Sequence, residues 1–77
     1  MKWQDRIVMN PQVCHGKPCI KGTRVMVSVI LANLAEGEAV ESIVAAYHVA
    51  EDDIRATMLF AADMAEDQFI SLEREAG

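Results

Sequence analysis

The sequence predicts a mainly α protein, with three helices in a helix-turn-helix arrangement behind two short N-terminal β-strands. Three observations carry that expectation. Apolar residues recur at helical spacing from Val27 onward, two short apolar runs precede that point, and glycine and proline punctuate the segment between the runs.

Ile7-Val8-Met9, closed by the turn signal Asn10-Pro11, reads as the first strand, and Val25-Met26-Val27, after Gly22-Thr23, as the second. An isolated pair of strands is marginal in water, so these two are expected either to lie on the helices or to pair with a second chain. Val27, Ile30, Leu31 and Leu34 form the apolar stripe of a first helix that Gly37 ends. Val40, Ile43, Val44 and Tyr47 repeat the spacing in a short second helix, and His48-Val49-Ala50 connects it to the third. Glu51, Asp52 and Asp53 mark the start of that last helix, where carboxylates favour the positive end of the dipole. Its predicted stripe of Ile54, Met58, Ala61 and Ala65 continues to Phe69 and Leu72, giving a long helix that frays near Ala76-Gly77. Tyr47 and Phe60 read as core residues and Trp3 as the cover of a dimer edge.

A chain of 77 residues makes one domain, residues 1–77, divided into a strand and loop region (1–27) and a helical region (28–77). At this length folding buries only about 60–65 % of the surface of the unfolded chain. A hydrophobic content of 52 % then leaves more apolar surface than one small core hides, so a homodimer through the N-terminal strands is expected. No apolar run reaches the roughly 18–20 residues that span a bilayer, and Met1 to Arg6 lacks a signal-peptide core, which predicts no membrane partner and a cytoplasmic protein.

The net charge of −5 is polarised along the chain. Residues 1–27 carry Lys2, Arg6, Lys17, Lys21 and Arg24 against Asp5 alone, whereas residues 28–77 carry eleven acids against Arg55 and Arg74. A basic N-terminal third can meet a polyanion locally while the acidic body repels it at long range. It can equally pair with an acidic half in a dimer. Groove docking by the third helix, whose start carries three carboxylates against Arg55, is opposed on charge.

Cys14 and Cys19 are expected to be reduced thiols, given the absence of a secretory signal. With His15 they match no usual zinc spacing, so no metal and no cofactor is expected. Adjacent side chains on an extended segment point to opposite faces, which argues against a Cys14–His15 dyad. A nucleotide-binding enzyme is disfavoured too. A phosphate-cradling loop needs Gly-Lys followed by Ser or Thr at a helix start, while Lys21-Gly22-Thr23 inverts the order and precedes a strand-like run. The protein is expected not to be an enzyme.

The residues Ile7 to Pro11, then Gly16-Lys17-Pro18-Cys19-Ile20-Lys21-Gly22-Thr23-Arg24, then Val25 to Leu34 and Gly37 to Ala62, resemble the bacterial and archaeal domain of unknown function 433 family. That family's pattern is a strand ending in Asn-Pro, a Gly-Lys-Pro-x-Ile-x-Gly-Thr-Arg signature, and a small helix-turn-helix. The resemblance implies a homeodomain-like helical fold, commonly dimeric, and an antitoxin role beside a toxin resembling a PIN-domain ribonuclease. Three positions depart from the pattern: Glu38 where serine commonly caps the second helix, His48 where proline often follows the tyrosine, and Ala50 where threonine often caps the third helix. Without that threonine, the amide donors of the third helix are left to water or to Asp53.

Two groups of candidate site residues follow. Lys17, Lys21 and Arg24, with Thr23 and the glycine amides, are the candidate phosphate contacts for operator DNA; the bland alternative for Arg24 is a salt bridge that fixes the loop. Phe69, Leu72 and Arg74 are the candidate grip on the PIN-like toxin, with a frayed helix end as the alternative. The competing function is a dimeric structural or interaction module that binds no nucleic acid.

Overall fold

A computed structural model describes the backbone of residues 1–76 and the side chains of residues 1–66. Three helices, α1 (Val27–Ala35), α2 (Val40–Tyr47) and α3 (Glu51–Ala76), carry a two-stranded antiparallel sheet of β1 (Ile7–Val8) and β2 (Cys19–Ile20) at the N-terminus. Short 3₁₀ turns at Trp3–Asp5 and Cys14–Gly16 bracket β1. Among the described residues no helix is long and apolar enough to cross a membrane.

The second strand is not the predicted Val25-Met26-Val27. Ile7 pairs with Ile20 and Val8 with Cys19, while Met26 makes a single bridge to Cys19. The reason is a competition for Val27. Its side chain is buried as the first residue of α1, so the run that looks like a strand is cut short by the helix. Ile20 fills the strand position instead, and the Ile20 amide donates to the Val25 carbonyl, closing residues 20–25 into a tight loop.

The helices follow their sequence signals closely. Gly37, at φ +87°, ends α1 with its amide donating to the Leu34 carbonyl and that of Glu38 to the Asn33 carbonyl, a paired closure that needs a left-handed residue. The Asn33 amide donates to the Val29 carbonyl at 2.8 Å and to the Tyr47 hydroxyl at 3.1 Å, tying α1 to α2. No side chain caps α2, whose N-terminal flank is Ala39; Glu38 does not serve. His48 ends α2 at φ +56°, a backbone conformation closed to proline, so the turn into α3 is built on a left-handed residue.

Ile7, Ile20, Val27, Ile30, Ile43, Val49, Ile54, Ala56 and Phe60 make one core, with Tyr47 packed against it. The α3 stripe differs from expectation. Met58 is 47 % exposed and Ala65 is exposed as well, whereas Asp53, Ala56 and Thr57 face inward beside Ile54. Thr57 is tolerated there because its hydroxyl donates to the Asp53 carbonyl one turn back. An ion pair sits at the start of this inward face. Arg6 donates from Nη1 to Asp53 Oδ1 at 2.8 Å, and its Nη2 lies 3.6 Å from Asp52. The other Asp53 oxygen accepts the Ala50 amide at 2.8 Å, the reciprocal half of a capping box, so the same carboxylate closes the residue before α3 and anchors the N-terminal layer. Trp3 packs edge-on against Phe60, ring centroids 4.9 Å apart, and donates to Asp63, which ties the N-terminus to α3.

Two outcomes follow. Glycine removes the left-handed penalty at position 48, so His48→Gly raises unfolding stability by about 0.5–1 kcal/mol in urea denaturation, and His48→Pro lowers it by about 3 kcal/mol. The Asp53 carboxylate is 12 % exposed and the Arg6 side chain 36 %, between the surface and buried regimes. A double-mutant cycle with Arg6→Met and Asp53→Asn, which keeps an acceptor for Ala50, is therefore expected to give a coupling of about 2 kcal/mol.

Candidate polyanion-binding loop

The signature segment runs from the Cys14–Gly16 turn through β2 and out to the loop of residues 21–24. Ile20 is buried and holds the segment on the core, and the Lys21 amide donates to the Arg6 carbonyl at 2.8 Å. The chain then reverses at Gly22, whose φ of +79° only glycine adopts without strain. Thr23 locks the reversal: its hydroxyl donates to the Ile20 carbonyl at 2.8 Å and accepts the Val25 amide at 3.0 Å. Since that hydroxyl has one proton, Thr23 positions the loop and has none left for a phosphate oxygen. No acceptor among the described residues takes the amide protons of Gly22 or Arg24.

Lys17, Lys21 and Arg24 are all exposed. Among the described residues Arg24 forms no ion pair; the only salt bridges belong to Arg6. Two clefts flank Lys21. One, of about 520 Å³, is lined by Met1, Lys2, Asp5, Arg6, Lys21 and Asp53, and its two carboxylates offset two of its three cationic side chains. The other, of about 410 Å³, is lined by Val8, Asn10, Val13, Lys21, Gly22, Thr23 and Arg24, with two cations and no carboxylate. An anion is favoured in the second.

Asn10, legible in the sequence only as a turn residue, and Val13 are wall residues of this second cleft. The Asn10 side-chain carbonyl accepts the Gln12 amide at 2.8 Å, a local turn that the Asn-Pro pair signals. Cys14 and His15 do not lie on an extended segment: both, with Gly16, have positive φ. The Cys14 thiol donates to the Arg24 carbonyl and that of Cys19 to the Thr23 carbonyl, so both sulfurs meet the back of the loop. Burial pushes the Cys19 thiol pKa up, the adjacent Cys14 raises it further, and Arg24 works weakly against both. Both cysteines are free, and among the described residues no group of three or more His, Cys, Asp or Glu side chains is placed to hold a metal ion.

Residues 7–61 match DUF433, a protein family of unknown function. The chain belongs to the DUF433 family. No curated protein and no solved structure matches it. The DUF433 match encloses the whole loop from Gly16 to Arg24, β1, β2, α1 and α2, and the Asp53 half of the ion pair; Arg6 precedes it. Phe69, Leu72 and Arg74 lie beyond the matched span, and their side chains are outside the described residues.

Proposed function

We propose that this DUF433 protein is an antitoxin-type binding protein without catalytic activity: a cytoplasmic homodimer that neutralises a PIN-like ribonuclease toxin and contacts operator DNA through the loop of residues 17–24. The observation that carries the DNA half of this reading is the cleft at Gly22, where Lys21 and Arg24 stand beside unclaimed amides and no carboxylate. Within the helix-turn-helix reading, the start of α3 is a poor phosphate contact: Glu51 and Asp52 are exposed there, and Asp53 is occupied by Arg6 and Ala50. Lys17, Lys21 and Arg24 supply the sequence-independent charge term, and Thr23 acts by fixing their loop.

Dimerisation through the N-terminal strands is supported by the position of β1, which pairs only with β2 and keeps its other edge unpaired among the described residues. The toxin grip is assigned to Phe69, Leu72 and Arg74 on sequence pattern, with apolar anchors and one cation at the far end of α3. A second reading, a dimeric interaction module with no nucleic-acid role, is favoured by Met58, Leu59 and Met64, which are 39–47 % exposed on α3.

The test is co-expression with the product of the adjacent gene, followed by binding of the complex to the DNA upstream of its own gene. The two proteins are expected to co-purify with ribonuclease activity suppressed, and truncation after Asp67 to abolish the pairing. A Lys17→Ala/Lys21→Ala variant keeps the partner but flattens the dependence of log affinity on log salt by about 2. An unchanged slope removes the loop from the phosphate contact, and no co-purification with no DNA shift at low salt leaves the interaction module.

A further inference from the structure

We propose that Cys14 and Cys19 form a redox-modification site, a dithiol that closes into an intramolecular disulfide by exchange with a small-molecule disulfide of the glutathione class. This goes beyond the proposed function and does not depend on it.

The two sulfurs are brought together by an unusual piece of backbone. Cys14, His15 and Gly16 have φ of +52°, +56° and +80° in succession. Two consecutive non-glycine residues in the left-handed region are rare, and such conformations concentrate where a side chain has to be placed against its backbone preference. The turn is held by the Gly16 amide on the Val13 carbonyl and the Lys17 amide on the Cys14 carbonyl. Its effect is to bring the Cys14 thiol onto the Arg24 carbonyl at 3.4 Å, next to the Cys19 thiol on the Thr23 carbonyl at 3.6 Å. Both thiols rest on carbonyls of adjacent residues in one tight loop, Thr23 and Arg24, which sets the two sulfurs against the same turn, and the upward pull of Cys14 on the Cys19 pKa agrees with that placement. Only five positions separate them in sequence, so a disulfide closes a small ring within a segment already folded back on itself.

Their environments assign the order of events. Cys14 is half-buried and reachable, whereas Cys19 is fully buried and its thiol holds its proton. The Cys14 thiolate attacks one sulfur of the small disulfide; the S–S bond breaks, one small thiolate leaves and takes a proton, and a mixed disulfide remains on Cys14. Cys19 then gives its proton to water or to the departing sulfur and attacks Cys14 Sγ, expelling the second small thiol. The protein loses two electrons and two protons, and the small disulfide is reduced to two thiols. Both S–H donors to the Thr23 and Arg24 carbonyls vanish in the product, so the modification acts on the loop that carries Lys21 and Arg24.

The experiment is equilibration of the full-length reduced protein with glutathione and oxidised glutathione, acid quench, alkylation of the remaining thiols, and intact mass with peptide mapping. Cys14 and Cys19 are expected to lose alkylation together, in a monomeric product two hydrogens lighter that dithiothreitol restores. At one fixed glutathione ratio the protein disulfide is expected to be about tenfold more populated in the folded chain than in urea, because the fold pre-arranges the pair. Cys19→Ser is expected to stop at the glutathione adduct of Cys14. The proposal is overturned if wild type accumulates that adduct with Cys19 still alkylatable, if disulfides form only between chains, or if the population is equal or lower in the folded state. The folded-against-urea comparison uses wild type alone, so it decides the matter even if the serine variant does not fold.

Discussion

The Asp53 carboxylate is the constraint on which the rest of the structure depends. One oxygen accepts the Ala50 amide and starts α3; the other accepts Arg6 and fastens β1 to that start. Because the Arg6 carbonyl in turn accepts the Lys21 amide, the same junction sets where the cation loop leaves the sheet. A carboxylate this enclosed would be costly without both partners, and with them it organises three segments far apart in sequence. The sheet alone, two residues per strand, could not hold that arrangement.

The junction also sorts the charges. Asp53 and, more loosely, Asp52 are turned toward Arg6, the one cation that forms salt bridges among the described residues. Lys17, Lys21 and Arg24 are left exposed, and the lining of the Gly22 cleft, which includes Lys21 and Arg24, holds no carboxylate. A chain with net charge −5 thus keeps exposed cations on its signature loop. The electrostatic case for the loop and the case against the start of α3 therefore have one structural cause.

Much of this was legible in sequence where a signal is local. Gly37, the Tyr47 to Ala50 connection and the acidic run at residues 51–53 place α1, α2 and the start of α3 closely, whereas Asp53 accepts the amide of Ala50, the residue before the helix, rather than an amide of the first turn of α3. What was hidden depends on partners distant along the chain. Nothing local to Asp53 announces Arg6, 47 residues earlier, and the helix face that meets this pair is the one that carries Thr57 inward and leaves Met58 outside. The second strand was misplaced because Val25 to Val27 looks more strand-like than Cys19-Ile20, which is flanked by Pro18 and Lys21-Gly22; burial of Val27 by α1 decided it. Lys17, Lys21 and Arg24 were recognisable as cations on a costly turn, but Thr23 was read as a ligand contact when its hydroxyl is committed to the backbone. The convergence of Cys14 and Cys19 depends on a left-handed turn that no composition rule signals.

The central claim is that the basic loop, and not the start of the third helix, is the face this protein turns to a phosphate backbone. Backbone amide chemical-shift mapping of the labelled protein against a short DNA duplex at low salt tests it most directly. The account predicts perturbations concentrated at residues 17–24 and on the Asn10 and Val13 wall, with residues 51–55 unmoved. Perturbations centred on residues 51–55 with the loop silent would contradict it.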